Sequence, residues 1–146
     1  MAITVRKAGK KDLPRWAEMR NKLWPESTGE EHLKEIRSWL KHKTFQAWMA
    51  FFDGKAAGFA EASIRPFANG CDSRPVAFLE GIWIDKQFQR HGIGRELLAT
   101  VEKWAKKKGI KELGSDTDID NKDSQMFHLK MGFEEMERVV YFRKKL

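Results

Sequence analysis

The run Val76-Ala77-Phe78-Leu79-Glu80-Gly81-Ile82-Trp83-Ile84 is apolar on both faces, and Gln89-Arg90-His91-Gly92-Ile93-Gly94 leads from it into Ile93, Leu97, Leu98, Val101, Trp104 and Ala105 at helical spacing. A strand with no polar face belongs inside a sheet, and a helix with one apolar stripe covers such a sheet. Lys106-Lys107-Lys108-Gly109 gives that helix a cationic last turn and a glycine stop. Strand, turn and helix form a βα unit, which commits the chain to an α/β architecture. Glycines in such a turn let the backbone approach a ligand closely, and the free N–H groups of the helix's first turn point at any anion held there. The segment therefore reads as a phosphate cradle. No Gly-Lys-Ser/Thr follows it and the full Gly-x-Gly-x-x-Gly is missing, so it is neither a nucleotide-hydrolysing loop nor a dinucleotide fingerprint. Taken alone, the same two glycines also describe an ordinary strain-relieving turn.

The rest of the chain supplies the other layers. Residues 2 to 7 read as a short strand, and Asp12 as the N-cap of a helix with Pro14 in its first turn and Leu13, Trp16, Ala17, Leu23 and Trp24 along its apolar side. A second amphipathic helix begins at Thr28 and carries Leu33, Ile36, Trp39 and Leu40. Phe45 to Phe52, the turn Asp53-Gly54 and Ala56 to Ile64 make a hairpin. A turn-rich loop from Pro66 to Pro75 precedes the central strand. A short strand near Ile110 to Ser115, a helix from about Asn121 to Met131 and two strands between Phe133 and Lys144 complete the expected order βααβββαβαββ. This is a central mixed sheet flanked by helices, in the α/β (α+β mixed sheet) class. With 146 residues, no internal repeat and no low-complexity linker, residues 1–146 are expected to form a single domain.

Hydrophobic residues at 41% and aromatics at 12% supply a core and exclude a disordered chain. The formal charge of +7 suggests a phosphate-rich or otherwise polyanionic partner. One cysteine, Cys71, forms no internal disulfide and no metal cluster, which fits a reducing cytoplasm and a protein without a metal. Neither a leader-like N-terminus nor an apolar run of about 20 residues is present, so no membrane association is expected.

Two spacings together point to a family. Gln89-x-x-Gly92-x-Gly94, and Asn121-x-x-Ser124-x-x-Phe127-His128-Leu129-Lys130-Met131-Gly132-Phe133 downstream, resemble the two signatures of the GCN5-related (GNAT) N-acetyltransferases. Leu23-Trp24-Pro25, Glu61-Ala62-Ser63-Ile64-Arg65, Phe78-Leu79-Glu80-Gly81-Ile82, Ser115-Asp116 and Glu137-Arg138-Val139-Val140-Tyr141-Phe142 are similar to bacterial aminoglycoside 6′-N-acetyltransferases. The resemblance implies an enzyme that carries acetyl from acetyl-coenzyme A to the 6′-amino group of an aminoglycoside by direct attack in a ternary complex. It further implies antibiotic resistance and a cytoplasmic homodimer. The backbone at Trp83 and Ile84 would pair with the pantetheine arm, and the segment Gln89, Arg90, His91, Gly92, Ile93, Gly94 and Arg95 would hold the pyrophosphate. Asn121 would lie near the thiol end, a role compatible with its plainer reading as a helix N-cap. Substrate contacts carry over to Trp24, Phe67, Glu80, Asp116 and Glu137; the family usually has tyrosine at the position of Phe67.

Residue chemistry agrees with these implications. Arg90, His91 and Arg95 bring positive charge to a pyrophosphate, and an aminoglycoside, a rigid polycation, calls for carboxylates and aromatic faces. Asp116 and Glu137 also read as solvated surface charges, whereas Glu80 lies in an apolar strand, where an unpaired carboxylate is costly. Glu80 is thus expected to bind the ammonium and relay its proton, with Asp116 orienting the amine and backbone N–H groups near Ile84 polarising the carbonyl. His128 stands where many relatives have tyrosine; it is a candidate acid for the thiolate and equally a packed structural histidine. Cys71 has no histidine beside it in sequence and is not expected to act covalently. Two rivals remain. One keeps the fold and acetylates proteins or peptides. The other is a nucleic-acid-binding module using Lys103, Lys106, Lys107, Lys108 and Lys111, which no recognised nucleic-acid motif accompanies.

Overall fold

The computed structural model describes residues 2–146, which divide into two compact units, residues 2–115 and 116–146. The first unit contains β1 (Ile3–Lys7), α1 (Leu13–Leu23), α2 (Gly29–Trp39), β2 (Phe45–Phe52), β3 (Lys55–Arg65), β4 (Val76–Ile84), α3 (Ile93–Lys107) and β5 (Leu113–Ser115). Its strands form one mixed sheet in the order β1-β2-β3-β4-β5, antiparallel except for the parallel pair β4–β5. The expected α/β class is therefore what the chain adopts, with the predicted βα unit at its centre.

Strand alternation assigns the two faces of the sheet. Phe45, Ala47 and Met49 of β2 and Phe59 of β3 pack with Trp16 and Met19 of α1 and Ile36 of α2. Trp48, which alternates with Ala47 and Met49, meets Trp104 of α3 edge-on, with ring centroids 5.4 Å apart. Helix α3 buries Ile93, Leu97, Leu98, Val101 and Ala105, the stripe read from the sequence. Helix α2 opens with a capping box: Thr28 Oγ1 accepts from the Glu31 N–H, and the Glu31 carboxylate accepts from the Thr28 N–H. Asp12 stands at the N-cap position of α1 as expected, but its side chain makes no capping bond to the helix. Its carboxylate accepts instead from both Arg6 terminal nitrogens, at 2.7 and 2.8 Å, and from the Gly9 N–H.

Two details of β4 shape the site. Ala62 and Glu61 of β3 pair with Leu79 and Gly81, so Glu80 is an extra residue on β4, a β-bulge. A bulge bends its strand and re-aims a side chain. Strand β5 pairs with β4 only at Ala77, Phe78 and Leu79. Beyond Leu79, β4 has β3 on one side and no strand on the other among the described residues.

In the second unit, Asn121 Oδ1 accepts from the Ser124 N–H and caps α4 (Lys122–Lys130). No helix or strand follows among residues 133–146, so the two strands expected between Phe133 and Lys144 are absent. A helix satisfies its backbone bonds internally, but a strand needs a neighbour to supply its ladder.

Candidate active site

The site is built around a cavity of about 690 Å³ in the first unit, between the α1–α2 segment and the bulged part of the sheet. Glu61 and Trp24 are among the residues that line it. Trp24 caps the C-terminus of α1, its N–H donating to the Arg20 carbonyl at 2.7 Å. Its indole packs against Gly81: a Cβ there would come within 2.5 Å of the ring, so only glycine admits this packing. The Arg20 guanidinium lies 4.8 Å from the centre of the indole.

Arg20 connects Trp24 to Glu61. Its Nη1 donates to both Glu61 oxygens at 2.6 and 2.7 Å, its Nη2 to Glu35, and its Nε to His32 Nδ1 at 3.1 Å. Since Nδ1 accepts, His32 carries its proton on Nε2 and donates it to the Trp24 carbonyl at 3.0 Å. Trp16 Nε1–H completes the shell of Glu61 at 2.8 Å. Burial pushes the Glu61 carboxyl up, against the pull of Arg20 and the Trp16 N–H. The charges of Arg20 and Glu61 are sealed, with side chains 4% and 3% exposed.

Glu80 enters the same cavity from the bulge, and its carboxylate is paired, as the cost of an unpaired charge in an apolar strand requires. Ser63 Oγ donates to Oε2 at 2.5 Å, Arg65 Nε donates to Oε2 at 3.1 Å, and Arg65 Nη2 donates to Oε1 and Oε2 at 2.8 and 2.9 Å. This pair is open, with side chains 40% and 28% exposed. The cavity lining carries five carboxylates, Glu26, Glu31, Glu35, Glu61 and Glu80, against two guanidiniums, Arg20 and Arg65. On a chain with net charge +7, this is a locally acidic, aromatic-walled pocket, suited to a cation carrying apolar ring faces.

Of the expected substrate residues, Trp24 and Glu80 line the cavity and Phe67 does not. Phe67 is exposed on the 66–75 loop, 5.3 Å below the Arg74 guanidinium. That loop is fastened by Glu112, whose carboxylate accepts from the Asp72 and Ser73 N–H groups and the Ser73 hydroxyl. Asp116, Asn121, His128 and Glu137 belong to the second unit. There Asp116 and Glu137 are exposed, and His128 Nδ1 donates to the Ser124 carbonyl at 2.7 Å.

The sequence reading missed Arg20, His32, Glu35, Glu61 and Arg65 as site residues. Two signals were available. Glu61 lies in an apolar strand just as Glu80 does, and Trp16, Arg20 and Trp24 recur every fourth residue along one helix face.

The expected coenzyme residues occupy the end of β4 and the turn after it. Trp83 and Ile84 lie on the part of β4 that β5 leaves unpaired. Gln89 Nε2 donates to the Ile84 carbonyl at 3.2 Å and ties the turn to the strand. His91 lies against Phe52, with ring centroids 4.6 Å apart. Arg90 and Gly92 have φ of 69° and 88°, left-handed values that curl the backbone ahead of α3. The space where a Gly92 Cβ would project is open to 4 Å. A helix leaves its first N–H groups without internal partners, so this turn fits a pyrophosphate, and the free β4 edge fits an amide-bearing arm. Among the described residues, no group of three or more His, Cys, Asp or Glu side chains is placed to hold a metal, and no helix is long and apolar enough to cross a membrane.

The family model of the acetyltransferase (GNAT) family matches residues 13–133. The aminoglycoside N(6′)-acetyltransferase type 1 of Salmonella enteritidis is 42% identical over 144 residues, 98% of this chain and 99% of that protein. Its counterpart from Serratia marcescens is 46% identical over 137 residues, 92% of this chain and 94% of the other. Among solved structures, aminoglycoside N-acetyltransferase AAC(6′)-Iy in complex with the bisubstrate analogue CoA-S-monomethyl-acetylneamine superimposes with a TM-score of 0.94 at 40% identity, covering 100% of both chains.

Proposed function

Because the chain belongs to the acetyltransferase (GNAT) family, we propose that it is an aminoglycoside 6′-N-acetyltransferase that takes its acetyl group from acetyl-coenzyme A and confers resistance to aminoglycosides. One observation carries this reading: an acidic cavity walled by Trp24 opens at the Glu80 bulge, on the same strand whose unpaired edge at Trp83 and Ile84 leads to the Gly92 cradle. From Glu80 to Ile84 is four residues, about 13 Å along a strand, so acceptor and donor sites share one rigid element. The named relatives at about 40% identity support the choice of acceptor.

When bound, acetyl-coenzyme A supplies an activated acyl carbon and a thiol leaving group. The chain's own residues do the rest. Gln89 to Arg95 and the edge at Trp83 and Ile84 hold the coenzyme, with Asn121 near its thiol. An alkylammonium has a pKa of about 10.4 and must lose a proton before its nitrogen attacks. Glu80 holds that ammonium and takes the proton, directly or through water. Asp116 orients the amine, backbone N–H groups near Ile84 stabilise negative charge on the acyl oxygen, and His128 returns a proton to the departing sulfur. Trp24 and Glu137 contact the sugar rings and their remaining amines.

The wider reading takes residues 1–146 as a single N-acetyltransferase domain that works in the cytoplasm as a homodimer, without nucleic acid or membrane. The family match across residues 13–133 supports the single domain. The exposed apolar side chains of Val140, Tyr141 and Phe142 support the dimer. The deciding experiment is a thiol-release assay with aminoglycosides that do and do not carry a 6′-amino group, beside a lysine peptide. Turnover confined to 6′-amino compounds is expected. Equal turnover without that amine, or preference for the peptide, overturns the reading.

A further inference from the structure

We propose that Arg65 is a positioning residue that aims Glu80 into the acceptor cavity. The inference rests on the acetyltransferase reading above and adds what determines the direction of its acceptor carboxylate. A bulge frees Glu80 from the register of β4, and a long side chain released in this way has no fixed aim of its own. Arg65, the last residue of β3, supplies one. Its Nη2 and Nε grip both carboxylate oxygens, while Ser63 Oγ closes on Oε2 from the same strand. Of the two oxygens, Oε2 takes a bond from Ser63 and two of the three Arg65 contacts, whereas Oε1 takes only one, from Arg65 Nη2. A carboxylate oxygen has two lone pairs, so Oε1 keeps one for an incoming ammonium.

Arg65 is itself immobilised from behind. Its guanidinium lies face-on to Phe78, 3.6 Å from the ring centre. Phe78 is buried with Ala68, Val76 and Cys71 under the 66–75 loop, which Glu112 fastens. The chain of support thus runs from the loop through Phe78 and Arg65 to Glu80. The pair Arg20–Glu61 differs in burial: its side chains are 4% and 3% exposed, against 40% and 28% for Arg65 and Glu80, so it offers a ligand far less access. An acceptor held in one geometry before binding loses less freedom when substrate arrives.

The test is a double-mutant cycle with Arg65→Met and Glu80→Gln, alone and combined, using tobramycin and acetyl-coenzyme A in the thiol-release assay. Arg65→Met is expected to raise KM for tobramycin and lower kcat/KM by about tenfold, the scale of a lost charge-assisted contact. KM for acetyl-coenzyme A stays put, and Arg65→Lys recovers part of the loss. In the Glu80→Gln background, Arg65→Met adds little, because Arg65 acts through Glu80. Three results overturn the proposal: the same factor lost in both backgrounds, a parallel rise in both KM values, or tighter tobramycin binding without Arg65, which would make it a competitor for Glu80. Ser63→Ala, a milder change, should shift KM for tobramycin in the same direction and guards against an Arg65 variant that fails to fold. If the unaltered chain turns over no 6′-amino aminoglycoside, the acetyltransferase reading falls and the role of Arg65 falls with it; turnover without coupling overturns Arg65 alone.

Discussion

Glu61 and Glu80 sit on neighbouring strands, each in an otherwise apolar run, yet their surroundings give them different work. Glu61 accepts from Arg20 and Trp16 in a sealed shell, whereas Glu80 keeps an open side toward the cavity. Removing one partner of a sealed pair leaves a buried charge unmatched. Arg20→Met should therefore cost about 3–5 kcal/mol in urea unfolding, and adding Glu61→Gln should recover part of it. Glu80→Gln should instead leave stability nearly unchanged and lower kcat for tobramycin by roughly 10²-fold or more, the usual scale of proton-transfer catalysis. Its KM for acetyl-coenzyme A should stay within a factor of about two. Unchanged kcat would remove Glu80 from the proton path. The sequence singled out Glu80 because its apolar neighbours made a charge conspicuous. It did not reveal Arg65 and Ser63, because their contact with Glu80 depends on a one-residue bulge in the pairing of β3 with β4, and nothing in either strand's own pattern marks a bulge.

At the scale of elements, the turn before α3 and the junction before α1 make separate predictions. Gly92 has φ of 88° and open space around its missing Cβ, so Gly92→Ala meets no clash but places a Cβ in a left-handed conformation, a cost of about 1 kcal/mol. If this turn holds the pyrophosphate, the variant raises KM for acetyl-coenzyme A several-fold and leaves KM for tobramycin alone; the opposite split would move the coenzyme elsewhere. In the junction, hydrogen bonds from Arg6 hold the Asp12 carboxyl below the usual carboxylate range despite its burial. A carboxyl with a lowered folded pKa stabilises the fold fully above its ordinary value and loses that contribution as pH falls through and below it. The stability gap between the unaltered chain and Asp12→Asn should thus be widest near neutrality and shrink on acidification, in urea titrations at several pH values. A constant gap would show that the Arg6 contact does not set it. The βα unit was legible because period and punctuation agree there: two-faced apolar strand, glycines, then a 3.6-residue stripe. Asp12 was placed at the N-cap of α1, where it lies, but its carboxylate is taken by Arg6, because sequence shows which residue precedes a helix and not which cation lies across the turn.

For the whole molecule, the charge of +7 and the C-terminal arm are the features that local patterns describe least well. Composition first pointed to a polyanionic partner, but charge is a sum and binding is local: the cavity holds five carboxylates against two guanidiniums, while Arg90 lies in the turn before α3 and Arg95 in the first turn of that helix. The arm poses a sharper question. Val140, Tyr141 and Phe142 are 76%, 82% and 92% exposed in the single chain, a run of apolar surface that water disfavours at about 25 cal/mol per Å². Two strands were expected here and neither forms, and an unpaired segment of that composition gains by burial against another molecule. With a second copy as that molecule, the intact chain should run as a dimer in size-exclusion chromatography with light scattering. A chain ending at Met136, or one carrying Val140→Lys and Phe142→Lys, should shift toward the monomer as concentration falls. Thermal unfolding supplies the second readout, since a fold stabilised by association melts higher as concentration rises. The intact chain should show that dependence and the truncated one should lose it. Equal masses and a concentration-independent melting point for both would assign the arm to its own chain and remove the support it lends to the dimer.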